Sequence, residues 1–226
     1  MCGILSIISK LEISKAQKEA AVEMLSLTSS RGPDYKELKN IDNRILLGSN
    51  RLKIVDSSNS GNMPFTDSTG RYILTFNGEI YNYESLKSEI SEFKLKSGND
   101  TEVLLYLLIK FKEKILPKLN GMFSFVFYDK QTKDIIIARD RFGIKPLFYN
   151  LTENQLTINS DIRAFLYLPT TNFSLNADAI TSFINLRFIP SPLTIFNEIK
   201  KLDGGCYVKT NINTCLLYTS PSPRDG

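Results

Sequence analysis

Residues 122–128 (MFSFVFY) and 134–139 (DIIIAR), separated by the polar run Asp129-Lys130-Gln131-Thr132-Lys133, commit the middle of this chain to an antiparallel β-hairpin. Both runs are rich in aromatic and β-branched residues and too short for core helices, so other layers must cover them. The flanking pattern supplies those layers. Apolar runs at 2–8, 44–47, 51–56, 72–76, 147–149 and 156–159 read as further strands, and 195–207 as final extended segments. Helical spacing recurs at 15–27 behind the N-cap Ser14, at 83–90, from 103 towards 116, at 161–168, and at 177–186 behind Asn176. Antiparallel strands in the middle with helices outside give an α+β layered domain, and no internal repeat is visible.

The composition suits such a domain: 226 residues, 42% of them apolar, are enough for a sizeable core. A net charge of +4 spread along the chain forms no basic block, so neither nucleic acid nor a membrane surface is expected as a partner. No stretch approaches the ~20 apolar residues of a membrane span, and no signal-peptide pattern precedes Cys2; a cytoplasmic protein is expected. Three cysteines (Cys2, Cys206, Cys215) form neither a disulfide framework nor a paired metal spacing, and without any histidine no metal site is expected. Beyond residue 208 the pattern breaks, and 209–226, ending in Ser-Pro-Ser-Pro-Arg-Asp-Gly, reads as a disordered or foreign tail.

The absence of histidine excludes Cys–His and Ser–His catalysis, and it draws attention to Met1-Cys2-Gly3-Ile4. Loss of Met1 would leave Cys2 with both a thiol and a free α-amine, whose reference pKa of ~7.7–8 lets it take the thiol proton near neutrality. The alternative is a small buried hydrophobe that starts the first strand. Other positions carry similar pairs of readings. Arg51 is either a surface cation or a bidentate clamp for a carboxylate. Asn77-Gly78 is either a turn or a side-chain amide beside a backbone N–H, two donors able to face one oxyanion. Asp100, next to Asn99, either caps the following helix or meets a ligand ammonium.

Seven ordered motifs carry a resemblance: MCGI at 1–4, RGPD at 31–34, RLKIVD at 51–56, NGEIYNY at 77–83, NDTEVLL at 99–105, LNGMFSFVFYD at 119–129 and ARDRFGIKPLFY at 138–149. Over residues 1–208 the chain resembles the glutaminase domain of class II, N-terminal-cysteine glutamine amidotransferases, in particular that of glutamine-hydrolysing asparagine synthetases. The resemblance implies a four-layer αββα N-terminal-nucleophile (Ntn) hydrolase fold, with two antiparallel sheets between helical layers. It implies Cys2 as nucleophile and base, and Asn77 with the Gly78 N–H as the oxyanion hole. Arg51 would hold the α-carboxylate of L-glutamine, Glu79 and Asp100 its α-ammonium, and backbone atoms of Ile54 and Val55 would help line the pocket.

The glutaminase needs no cofactor in this reading. A synthetase domain using ATP and magnesium to activate aspartate would follow in such enzymes, but no SGGxDS-like phosphate-binding run occurs here, so the chain resembles a truncated synthetase. A homodimer is compatible with the resemblance. Two alternatives stand beside it: the glutaminase domain of another class II amidotransferase, serving sugar or cell-surface synthesis, and a non-catalytic Ntn-like regulatory module. Ser30 and Gly48-Ser49-Asn50 stand where family members commonly carry histidine, and Leu202-Asp203-Gly204-Gly205 replaces a Pro-Gly turn.

Overall fold

A computed structural model of the chain describes residues 2–53, 61–169, 172–213 and 218–221. The first half runs β1 (Gly3–Ser9), α1 (Lys15–Leu27), β2 (Tyr35–Asp42), β3 (Ile45–Arg51), β4 (Phe65–Thr66), β5 (Tyr72–Ile80), α2 (Tyr83–Leu86) and α3 (Asp100–Phe111). The second half runs β6 (Gly121–Asp129), β7 (Asp134–Arg139), β8 (Phe148–Leu151), β9 (Gln155–Asn159), α4 (Ala177–Leu186), β10 (Ile199–Lys201), β11 (Cys206–Asn211) and β12 (Tyr218–Pro221). The strands form two six-stranded sheets, ordered β10-β8-β9-β1-β3-β2 and β12-β11-β7-β6-β5-β4, and every named pairing is antiparallel.

Strand alternation sorts the side chains into three cores, because successive residues point to opposite faces of a sheet. Along β1, Leu5 and Ile7 join Ala21, Met24 and Leu25 of α1, while Ile4 and Ile8 join the second sheet's Ile73, Val126, Tyr128 and Ile137. That sheet's other face, with Leu74, Phe76, Phe125 and Phe127, packs on Val103, Leu104 and Leu107 of α3. The layers are therefore helix, sheet, sheet, helix. The helices begin where capping chemistry allows: Ser14 and Gln17 form a reciprocal capping box on α1, and Asn99 and Asn176 accept N–H bonds at the starts of α3 and α4.

Three local expectations change. β2 went unread because it is a sheet edge of half-exposed, charged sequence (YKELKNID), a composition that protects edges but hides the strand period. Gly48-Ser49-Asn50, expected to interrupt the chain between two strands, lies inside β3, where pairing with β1 on one side and β2 on the other overrides its weak propensity. Asn77-Gly78 is not a turn, since β5 runs through it opposite Ser124 and Phe123.

The expected domain end at residue 208 is also too early. β11 continues to Asn211 beside β7, Thr210 is buried, and Ile212 is fully buried in the inter-sheet core; β12 then adds an outer strand. Val208, Thr210 and Ile212 alternate inward between the less buried Lys209 and Asn211, a strand period that the Ser-Pro-rich end obscured. Residues 214–217 and 222–226 of the expected tail lie outside the described residues. Ile212→Ala is expected to cost about 2–5 kcal/mol in urea unfolding, as buried isoleucine truncations do. A change near zero would mean that the domain does end before it.

Candidate active site

Cys2 stands at the start of β1, and several contacts fix it there. Ile4 exchanges bonds with Ser160, its N–H donating to Oγ at 3.1 Å and its carbonyl accepting from the Ser160 N–H at 3.1 Å. The Arg31 Nε donates to the Cys2 carbonyl at 3.3 Å. The register Gly3↔Asn50 then brings Cys2 to the level of Arg51 on β3. Asn50 ties this end of the sheet to the end of α1, donating to the Leu25 carbonyl at 2.6 Å and to Thr28 Oγ1 at 2.7 Å.

RGPD is the clasp of this arrangement. Gly32 passes so close to the Asn50–Arg51 backbone that a Cβ would stand 2.5 Å from the Asn50 carbonyl. The Asp34 N–H donates to the Arg51 carbonyl at 3.1 Å, and its carboxylate accepts from the Lys53 N–H at 2.8 Å. The Arg51 side chain is 6% exposed and donates from Nη1 to Asn62 Oδ1 at 2.8 Å.

The second sheet brings up the opposite wall. Asn77 is fully buried, and neither its Nδ2 nor its Oδ1 has a hydrogen-bond partner among the described residues. Buried polar groups are nearly always paired, so an amide left unsatisfied here marks a place built to receive a polar group. A Cβ at Gly78 would collide with the backbone of Met122 and Phe123, which restricts the position to glycine.

Asn99, through Oδ1 accepting from the Glu102 N–H at 2.9 Å, caps α3, so Asp100 is released from that duty. The Asp100 Oδ2 accepts from the Ile80 N–H at 3.2 Å, and burial pushes its carboxyl pKa up. Burial would do the same to Glu102, but the N–H groups of Lys96, Gly98 and Ser97, with the Ser97 hydroxyl, hold it below its ordinary value. Glu102 thereby fastens the loop that delivers Asn99 and Asp100.

Cys2, Arg51, Asn77, Gly78, Glu79 and Asp100 all line one open cavity of about 150 Å³. Of the residues expected at the site, only Ile54 and Val55 lie outside the described residues. The structure adds Lys145, 4% exposed, to the lining. Burial lowers the pKa of its ammonium, against an upward pull from Cys2. Arg31, Glu102 and Lys145 carried no individual expectation although each lies in a recognisable motif; only their side-chain directions show what they reach. Among the described residues no cluster of metal-ligating side chains occurs, and no helix is long and apolar enough to cross a membrane.

The arrangement offers a sulfur nucleophile, a buried cation, a pair of neutral donors and two carboxylates around one small cavity. Asn77→Leu, which removes two unpaired buried polar atoms at similar volume, is expected to leave the unfolding free energy unchanged or raise it by about 1 kcal/mol. A loss of several kcal/mol in chemical denaturation would show that the amide holds the fold together instead.

The Glutamine amidotransferase domain family matches residues 1–219. Asparagine synthetase (glutamine-hydrolyzing) 1 of Bacillus subtilis (strain 168) is 33% identical over 209 residues, covering 91% of this chain and 33% of that protein. Amidase chry2 of Gibberella zeae is 36% identical over 220 residues, covering 92% of this chain and 32% of that protein. Among solved structures, the glutamine phosphoribosylpyrophosphate amidotransferase of B. subtilis aligns over 99% of this chain and 50% of its own, with a TM-score of 0.67 at 15% identity, a likeness of fold. The chain spans about a third of the length of these two curated relatives.

Proposed function

The chain belongs to the glutamine amidotransferase domain family, with its Ntn αββα fold, and from that membership and the cavity around Cys2 we propose that it hydrolyses L-glutamine to glutamate and ammonia. The observation that carries the reading is the unpartnered Asn77 amide beside Gly78, in the cavity that also holds Cys2 and Arg51.

The roles follow from charge and position. The Arg51 guanidinium takes the substrate α-carboxylate, and Glu79 and Asp100 take the α-ammonium. The side-chain amide is left to face Cys2. After loss of Met1, the Cys2 α-amine accepts the thiol proton as sulfur attacks the amide carbon. The carbonyl oxygen becomes an oxyanion and is met by Asn77 Nδ2–H and Gly78 N–H; one such donor typically lowers a barrier by ~3–4 kcal/mol. Collapse breaks the C–N bond, and the α-ammonium returns its proton to the leaving nitrogen, which departs as ammonia. Water then attacks the thioester, giving its proton to the same amine, and collapse releases glutamate and restores the thiol.

For the fate of the ammonia, the reading is an asparagine-synthetase type of enzyme. The similarity to such proteins over most of this chain, and the share of their length beyond it, support a further domain that would use ATP and magnesium to amidate aspartate. Exposed Phe183, Ile184 and Leu186 on α4, with Phe188 just beyond, are consistent with a polypeptide partner on that side. Cys2→Ala is expected to lower glutamate release from glutamine at least about 10³-fold while leaving the circular dichroism spectrum and thermal midpoint near those of the parent. Undiminished release by the folded variant would remove Cys2 from the chemistry.

A further inference from the structure

Lys145 is a charged side chain that the mechanism above does not use, although it faces the reacting centre. Lysines are rarely buried unless paired. This one is 4% exposed and lines the Cys2 cavity, and its ammonium makes no hydrogen bond or ion pair among the described residues. The loop that carries it is fastened on every side. The Asp140 carboxylate accepts N–H bonds from Phe142 at 3.1 Å, Ile144 at 2.9 Å, Lys145 at 3.0 Å and Phe123 at 3.2 Å. The Arg139 guanidinium donates to the carbonyls of Lys145, Gly143 and Leu202. The Ser124 hydroxyl reaches the Pro146 carbonyl at 3.4 Å. This much anchoring holds the backbone of Lys145 in place and leaves only its side chain to enter the cavity.

We propose that the Lys145 ammonium is the counter-charge for the Cys2 sulfur, favouring its anionic form and so setting the pH range in which the nucleophile reacts. The inference rests on the reading of Cys2 as nucleophile and adds the group that tunes it. A cation near a thiol favours the thiolate. Other charges bear on the pair. Arg31, from the short turn after α1, supplies a second positive charge; Glu79 on β5 and Asp140 in the lysine's own loop are negative. Arg51 of β3 and Asp100 of α3 line the same cavity, and the freed α-amine of β1 stands on Cys2 itself. Asp140 is engaged by four backbone N–H groups, so the groups left to meet Lys145 are the Cys2 sulfur and the Glu79 carboxylate. The burial that lowers the lysine's pKa also strips water from its ammonium, which strengthens its effect on a neighbouring sulfur.

The sign is definite: removing the cation disfavours the thiolate, so the reactive range moves to higher pH. The test is the iodoacetamide alkylation rate at Cys2 from pH 5 to 10, on chain whose Met1 has been removed. Peptide mass spectrometry resolves Cys2 from Cys206 and Cys215. Lys145→Met is expected to raise the alkylation midpoint by about one pH unit and to slow the reaction about tenfold below both midpoints. Lys145→Arg, which keeps the charge, is expected to stay near the parent. A folded Lys145→Met with the parental profile overturns the proposal, as does a Lys145→Arg midpoint that rises by a full unit. Should the methionine variant not fold, Lys145→Gln, which also removes the charge, is measured in its place with the same two readings. Because alkylation needs no glutamine, a shifted midpoint in a chain that releases no glutamate would sink the hydrolase reading and leave the charge pairing standing.

Discussion

The site depends on one register. Gly3 pairs with Asn50 across the first sheet, which sets Cys2 beside Arg51 at one end of two neighbouring strands. A slip of one residue would turn Arg51 to the opposite face, towards α1, because side chains alternate along a strand. The chain guards this register from three directions: Ser160 pins Ile4, Asn50 is tied to the end of α1, and Gly32 lets the RGPD turn lie against the Asn50–Arg51 backbone. The apolar residues deeper in the same strands, Ile4, Ile8, Ile45 and Leu47, lock it further by filling the space between the sheets.

Two buried carboxylates do for loops what pairing does for strands. Glu102 gathers the N–H groups of residues 96–98 and so delivers Asn99 and Asp100 to the cavity, while Asp140 gathers those of 142, 144 and 145 and delivers Lys145. Each satisfies backbone donors that would otherwise be lost to solvent or left unpaired. Inside the cavity the Asn77 amide is buried without a partner among the described residues, and the Lys145 ammonium makes no hydrogen bond or ion pair there. An unpaired amide in a cavity whose flanking loops are held by satisfied backbone donors is the pattern expected where a ligand supplies the missing partner.

How much of this was legible in the sequence depended on the range of the interaction. The β6–β7 hairpin and the capped helices α1, α3 and α4 follow from local periodicity and cap residues, and the structure has them at nearly the expected positions. The residues proposed for the site could be named because few side chains can serve a histidine-free thiol chemistry and because the motifs came in a known order; the structure brings all of them but Ile54 and Val55, which lie outside the described residues, to one cavity. Local reasoning failed where distant pairing decides. The charged edge β2, the Gly-Ser-Asn run inside β3 and the strand through Asn77-Gly78 all take their form from neighbours far along the chain. Lys145 was hidden for the same reason: nothing in FGIKPL says that Asp140 and Arg139 will turn its side chain towards Cys2.

The most direct test of the account is a crystal structure of the chain after reaction with a glutamine analogue carrying a diazoketone in place of the side-chain amide, a group that alkylates an active thiol. The account predicts a covalent bond to Cys2 Sγ, the ketone oxygen between Asn77 Nδ2 and the Gly78 N–H, and the α-carboxylate on the Arg51 guanidinium. An adduct on Cys206 or Cys215 instead, or one whose α-carboxylate lies away from Arg51, would contradict it.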